Sequence, residues 1–68
     1  MTVEIELNGV PREVSATSTI GSLLDELGLR RDGIAVAVQM KVVPRSEHDT
    51  RHLQPGDRVE IIQAVGGG

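Results

Sequence analysis

From Thr2 to Leu7 apolar and polar residues alternate without a break, which places Val3, Ile5 and Leu7 on one face of a strand and Glu4 and Glu6 on the other. Asn8-Gly9 follows directly. Both central positions of a type I′ turn need positive φ, and this pair meets the requirement, so the chain is expected to return as a second strand near 10–15. Thr17, Ser18 and Thr19 then offer side-chain oxygens for a helix start, and Ile20, Leu23, Leu24 and Leu27 recur at the spacing of one helical face. The spacing predicts a helix over 19–27, with Gly28 as its left-handed stop and Leu29 folding back onto the last turn.

Alternation resumes at Ile34–Val38, whose small and branched residues suit a central strand under the helix. Gln39, Met40 and Lys41 turn the chain toward a short strand at Val42 and Val43, limited by Pro44. The stretch 45–54 is polar and reads as a short helical turn at most. Pro55-Gly56 forms a turn pair that launches a last strand from Asp57 to about Ala64. Val59 and Ile61 share one parity and face the core. Ile62 breaks the alternation and falls on the opposite face, which makes it a candidate partner contact together with Ala64 and Val65.

Hairpin, helix, strand, short strand and last strand make an α+β fold: a mixed sheet of four to five strands with one main helix packed across it, for which the ubiquitin-like β-grasp is the natural candidate. Residues 1–65 are expected to form the domain and 66–68 a flexible glycine tail. Sixty-eight residues allow one core only, burying roughly 60% of the unfolded surface. There is no cysteine, so neither disulfides nor thiolate metal sites contribute, and no apolar run is long enough to span a membrane. These features, with no basic-then-apolar leader, point to a cytoplasmic chain. The formal charge is −3 and aromatic residues are absent, which removes the basic footprint and the stacking surfaces of nucleic-acid binders.

Candidate side-chain chemistry is sparse. His48 and His52 stand four apart with Asp49 between them, a spacing that two metal-ligating imidazoles can use on a helix. The segment is polar and lacks a third ligand, so both histidines read as solvated and no metal is expected. Ser15, Thr17, Ser18, Thr19 and Ser22 have no nearby histidine and read as turn and cap residues. Arg45 reads as a surface arginine paired with a carboxylate, and Lys41 is the only lysine. What remains is the ending, Gly66-Gly67-Gly68, which follows a strand with no polar spacer.

Three segments carry a resemblance to a known family. They are Thr-Ile-Gly-Ser-Leu-Leu at 19–24, Val-Ala-Val-Gln-Met-Lys-Val-Val-Pro-Arg-Ser-Glu at 36–47, and Leu-Gln-Pro-Gly-Asp-Arg-Val-Glu-Ile-Ile-Gln-Ala-Val-Gly-Gly-Gly at 53–68. With these the chain resembles the ThiS family, the sulfur carriers of thiamine biosynthesis, over nearly its whole length. It departs from the family pattern at Gln39 where Asn is usual, at His48 where Trp is common, and at Gly66. The small subunit of molybdopterin synthase looks similar in fold and tail but carries aromatic residues and a Pro-rich approach to its glycines.

The resemblance implies a carrier with no catalytic residues and no bound cofactor. The Gly68 carboxylate would be adenylated at the expense of ATP used by a partner, then converted to a thiocarboxylate. Gly66 and Gly67 would thread the tail through a narrow channel, where the lack of a Cβ permits close backbone approach. The implied partners are an adenylyltransferase of the ubiquitin-activating type (ThiF-like), a persulfide sulfur donor and a thiazole synthase (ThiG-like), with the carrier itself a monomer. Ubiquitin-like protein modifiers and carriers serving molybdopterin or tRNA thiolation share the tail chemistry and stand as alternatives.

Overall fold

The structure is a computed structural model that describes residues 1–30 and 32–63. Strand β1 (Thr2–Leu7) and strand β2 (Val10–Ser15) form the first hairpin, with Leu7 opposite Val10 and Thr2 opposite Ser15. At the connection Asn8 has φ 49° and Gly9 φ 83°, the two left-handed positions that the Asn-Gly pair was expected to fill.

Helix α1 spans Ile20–Glu26, one residue shorter at each end than the sequence spacing suggests, because Thr19 and Leu27 are its caps. The Thr19 hydroxyl accepts from Ser22 N at 3.1 Å and the Ser22 hydroxyl accepts from Thr19 N at 2.9 Å, a reciprocal capping box built with serine. Two more first-turn amides are met from outside the helix, Ile20 N by Arg51 O and Gly21 N by His48 O. At the far end Gly28 N bonds Asp25 O, Leu29 N bonds Leu24 O, and Gly28 has φ 73°, which completes the predicted glycine stop.

Strand β3 (Ile34–Val38) turns through Gln39-Met40 into strand β4 (Lys41–Val43). A 3₁₀ turn at Arg45–Glu47 and the Pro55-Gly56 turn lead to strand β5 (Arg58–Gln63). The sheet order is β2-β1-β5-β3-β4, with β5 parallel to β1 and antiparallel to β3. The last strand is therefore the middle of the sheet. Strand β3 is interior, as expected, but lies one place away from the centre.

The helix covers one face. Ile20, Leu23 and Leu24 pack with Ile5, Val14, Val36, Val38, Val43, Leu53 and Val59 in an aliphatic core. Each of these side chains, when fully buried, contributes about 1.5–3 kcal/mol. One expectation fails here. His48 is not solvated but 1% exposed, its Nε2 3.2 Å from Val43 O and its Nδ1 buried without a hydrogen-bond partner. The 45–54 loop folds under the helix start, where His48 O and Arg51 O hold the first-turn amides, and that draws the imidazole inward. His52 remains exposed. Arg45 pairs with Asp32 at 2.8 Å, as a surface arginine should.

Candidate functional site

The segment with chemical promise follows Gln63, so the site is built from what surrounds the end of β5. The positions singled out at Ala64, Val65, Gly66, Gly67 and Gly68 lie outside the described residues. Ile62 is described and sits where its parity put it: on the open face of the sheet, away from α1, and 59% exposed.

The register shows what surrounds it. Ala35 lies opposite Ile62, and Ala37, two residues along the same face of β3, lies opposite Val42. Ile62, Ala35, Ala37 and Val42 thus form a continuous apolar strip across three strands, with Val42 74% exposed at the sheet edge. The sequence reading missed Val42 because Val42 and Val43 are chemically alike, and only pairing decides which one enters the core. The alternation of β3 did contain a signal for Ala35 and Ala37, since both share a face opposite to Val36 and Val38.

The rest of the open face is acidic. Glu4 lies directly opposite Glu13, an unfavourable cross-strand pairing, and Glu60 lies opposite Ala37 beside the apolar strip. Glu6 has a near cation, Arg58 Nε at 3.2 Å. On the other side of the sheet, at the end of β5, a cavity of about 320 Å³ is lined by Gly28, Leu29, Arg30, Asp32, Gly33 and Ile34 together with Gln63.

Polar side chains hold β5 in place. Gln39 Oε1 accepts from Arg58 N at 2.7 Å while Gln39 N donates to Arg58 O at 2.9 Å. Asn8 N donates to Val59 O and Asn8 Oδ1 accepts from Ile61 N, both at 2.9 Å. Both residues sit at positive φ in hairpin turns and clamp the middle strand from opposite sides. Among the described residues there is no group of three or more His, Asp or Glu side chains placed to hold a metal, and no helix is long and apolar enough to cross a membrane. The groups near the end of β5 are backbone, apolar surface and the Glu60 carboxylate.

Comparison with known proteins places these features in a family. The model of the ThiS family matches residues 5–68. The chain is 30% identical over 66 residues to the sulfur carrier protein ThiS of Escherichia coli, covering 97% of this chain and 100% of that protein. It is 35% identical over 66 residues to a thiazole synthase of Paramagnetospirillum magneticum, but there it spans 20% of the relative's length. A crystal structure of the thiamine biosynthesis protein ThiS from Geobacter metallireducens superposes with a TM-score of 0.82 at 26% identity, covering 97% of this chain and 100% of that one.

Proposed function

The chain belongs to the ThiS family of sulfur carriers, and from that premise we propose that it carries sulfur on Gly68 as a thiocarboxylate destined for thiazole formation. It is a carrier and not an enzyme: its part is to present a carboxyl group, while partners supply the catalysis. The observation that carries the reading is the extent of the family match, which runs through the last glycine and does not stop at the end of β5.

The chemistry follows from the weakness of a carboxylate as an electrophile. Attack of the Gly68 carboxylate on the α-phosphate of ATP, in the site of an adenylyltransferase, releases pyrophosphate and leaves an acyl-adenylate. The terminal sulfur of a persulfide then displaces AMP, and a thiol cleaves the resulting acyl disulfide so that one sulfur stays on the carboxyl carbon. Glycine at 66 and 67 suits passage through a narrow channel, because each lacks the Cβ that would meet the channel wall. The unit through residue 65 serves for recognition, and the three glycines for reach. ATP belongs to the partner's site, and the whole cycle fits the cytoplasm.

Thiazole synthase is the proposed acceptor. Two relatives that bear this name contain a stretch similar to the chain over a fifth of their length, which links the two kinds of protein. The open-face strip of Ile62, Ala35, Ala37 and Val42 is the proposed contact surface, and Ala64 and Val65, which follow in sequence, are further proposed contacts. Glu60, opposite Ala37, borders its apolar centre, which suits a partner surface with a basic group beside an apolar spot.

The test is the intact mass of the protein after incubation with ATP, the adenylating partner and a persulfide donor. The expected result is the mass increase of one oxygen replaced by sulfur, absent when Gly68 is deleted. An unchanged mass with a partner competent on another carrier would overturn the reading.

A further inference from the structure

Strand β5 extends beyond the end of its neighbour. Its parallel pairing with β1 is confined to Glu6 opposite Arg58 and Leu7 opposite Val59, after which β1 turns away at Asn8, whereas its pairing with β3 continues to Ile34 opposite Gln63. The direction of the backbone groups follows from the hydrogen bonds. Asp57 O and Val59 O accept from Glu6 N and Asn8 N on the β1 side, while Arg58 N and O both bond Gln39 at the end of β3. Backbone groups of successive residues alternate sides in a strand, so Ile61 and Gln63 face the β1 side as well.

Ile61 N–H is satisfied there by a side chain. Asn8 Oδ1, 2.9 Å away, stands in for the carbonyl that a longer β1 would supply. Past that point nothing continues the ladder: among the described residues Ile61 O and the N–H and C=O of Gln63 have no partner on this side. The result is a notch in the sheet, bounded below by the Asn8-Gly9 turn and on one flank by β5. Its exposed groups have the spacing of a parallel strand, in which one residue donates its N–H to Ile61 O and accepts from Gln63 N–H.

We propose that this notch is the docking site for an extended backbone segment of the adenylating partner, added parallel to β5 as a short continuation of β1. The inference rests on the carrier reading and adds the means by which the partner is gripped. Three observations favour that occupant over others. The notch is formed by Gln63, one residue before the stretch 64–68 that carries the reacting carboxylate, so a strand seated there grips the chain next in sequence to the segment that must be drawn into the partner. Its width is about one residue pair, which gives a weak, reversible contact suited to a carrier that visits several proteins. Its flank on the open face is Ile62, so a strand in the notch is continuous with the apolar strip.

Amide hydrogen exchange of the full ¹⁵N-labelled chain tests the proposal. Ile61 and Ile62 amides are expected to be protected throughout, the Gln63 amide to exchange rapidly in the free protein and to become protected when the adenylating partner is added. In parallel, the KM for carrier is read by ATP–pyrophosphate exchange. Gln63→Ala keeps the N–H and is expected to leave KM unchanged, whereas Gln63→Pro removes it and is expected to raise KM roughly three- to tenfold, the loss of one hydrogen bond. Proline here costs no bond to β3, and unchanged protection of Val36 and Ala37 amides confirms that the sheet persists. Should Gln63→Pro disturb the sheet, an ester in place of the Gln63 amide makes the same deletion.

Protection of Gln63 in the free monomer would overturn the proposal, because the chain's own residues would then fill the notch. Protection that rises with carrier concentration would assign the notch to a second copy. A Gln63 amide that stays fast in the complex, or equal KM for the two variants, would show that the partner grips elsewhere. Failure of the wild-type protein to acquire sulfur is a different outcome, which removes the carrier reading itself.

Discussion

The turn between β3 and β4 offers a strain that can be measured. Gln39 has φ 53° and Met40 φ 68°, so two residues with side chains occupy the left-handed region in succession. For an L-residue this conformation costs roughly 1–2 kcal/mol. Met40 is 75% exposed and gives up little burial if shortened. Met40→Gly should relieve the strain and lose about 0.5–1 kcal/mol of it to glycine's greater freedom in the unfolded chain. The expected net gain is about 0.5–1 kcal/mol, or a rise in Tm of about 2–8 °C for a domain of this size.

Gln39→Gly relieves a similar strain but removes the 2.7 Å hydrogen bond to Arg58 N, about 0.5–1.5 kcal/mol. It should therefore be neutral or destabilising. Urea unfolding followed by far-UV circular dichroism is the assay, since the chain has no aromatic residue to report by fluorescence. A changed midpoint at constant m is the signature of a stability effect. Met40→Gly at or below wild-type stability, or Gln39→Gly as stabilising as Met40→Gly, would refute the reasoning.

Asn8→Ala should cost about 1–3 kcal/mol in the same assay, as the Ile61 amide loses its acceptor and alanine tolerates φ 49° poorly; Asn8→Gly isolates the hydrogen bond from the backbone effect. His48→Ala should cost about 2–4 kcal/mol by leaving a hole beside the core, where a solvated histidine would cost under about 0.5 kcal/mol. Ile62→Asp should leave urea unfolding within about 0.5 kcal/mol of wild type, because the side chain is exposed, yet raise the KM for carrier in ATP–pyrophosphate exchange about tenfold or more. Unchanged adenylation by that variant would exclude the open-face strip as the contact.

Local chemistry was enough for most of the elements. The alternation of residues 2–7, the Asn8-Gly9 turn and the Gly28 stop each depend on one or a few adjacent residues, and the structure places them as read, while of the three hydroxyls offered at 17–19 it is Thr19 that caps the helix, one residue before its start. The resemblance at 53–68 likewise needed only the order of residues, and the family match includes that whole segment. Ile62 was identified by a break in alternation, a signal with a period of two that survives whatever lies next to the strand.

Other features depend on which segments meet, and one-dimensional patterns do not contain that. The burial of His48 follows from the 45–54 loop docking against the helix start, where helix amides needed carbonyl partners. The apolar strip required the register that sets Ala35 against Ile62 and Ala37 against Val42. The Gln39-Met40 turn carries no Gly, Asn or Asp, and its strained backbone is held by Gln39's bonds to Arg58, a residue nineteen positions later. The sequence by itself determined the elements, their faces and the family, because periodicity, capping and turn chemistry act within a few residues. Only the tertiary structure decided the central place of β5, the open strip and the notch beyond Asn8, because strand order and register arise from contacts between distant segments.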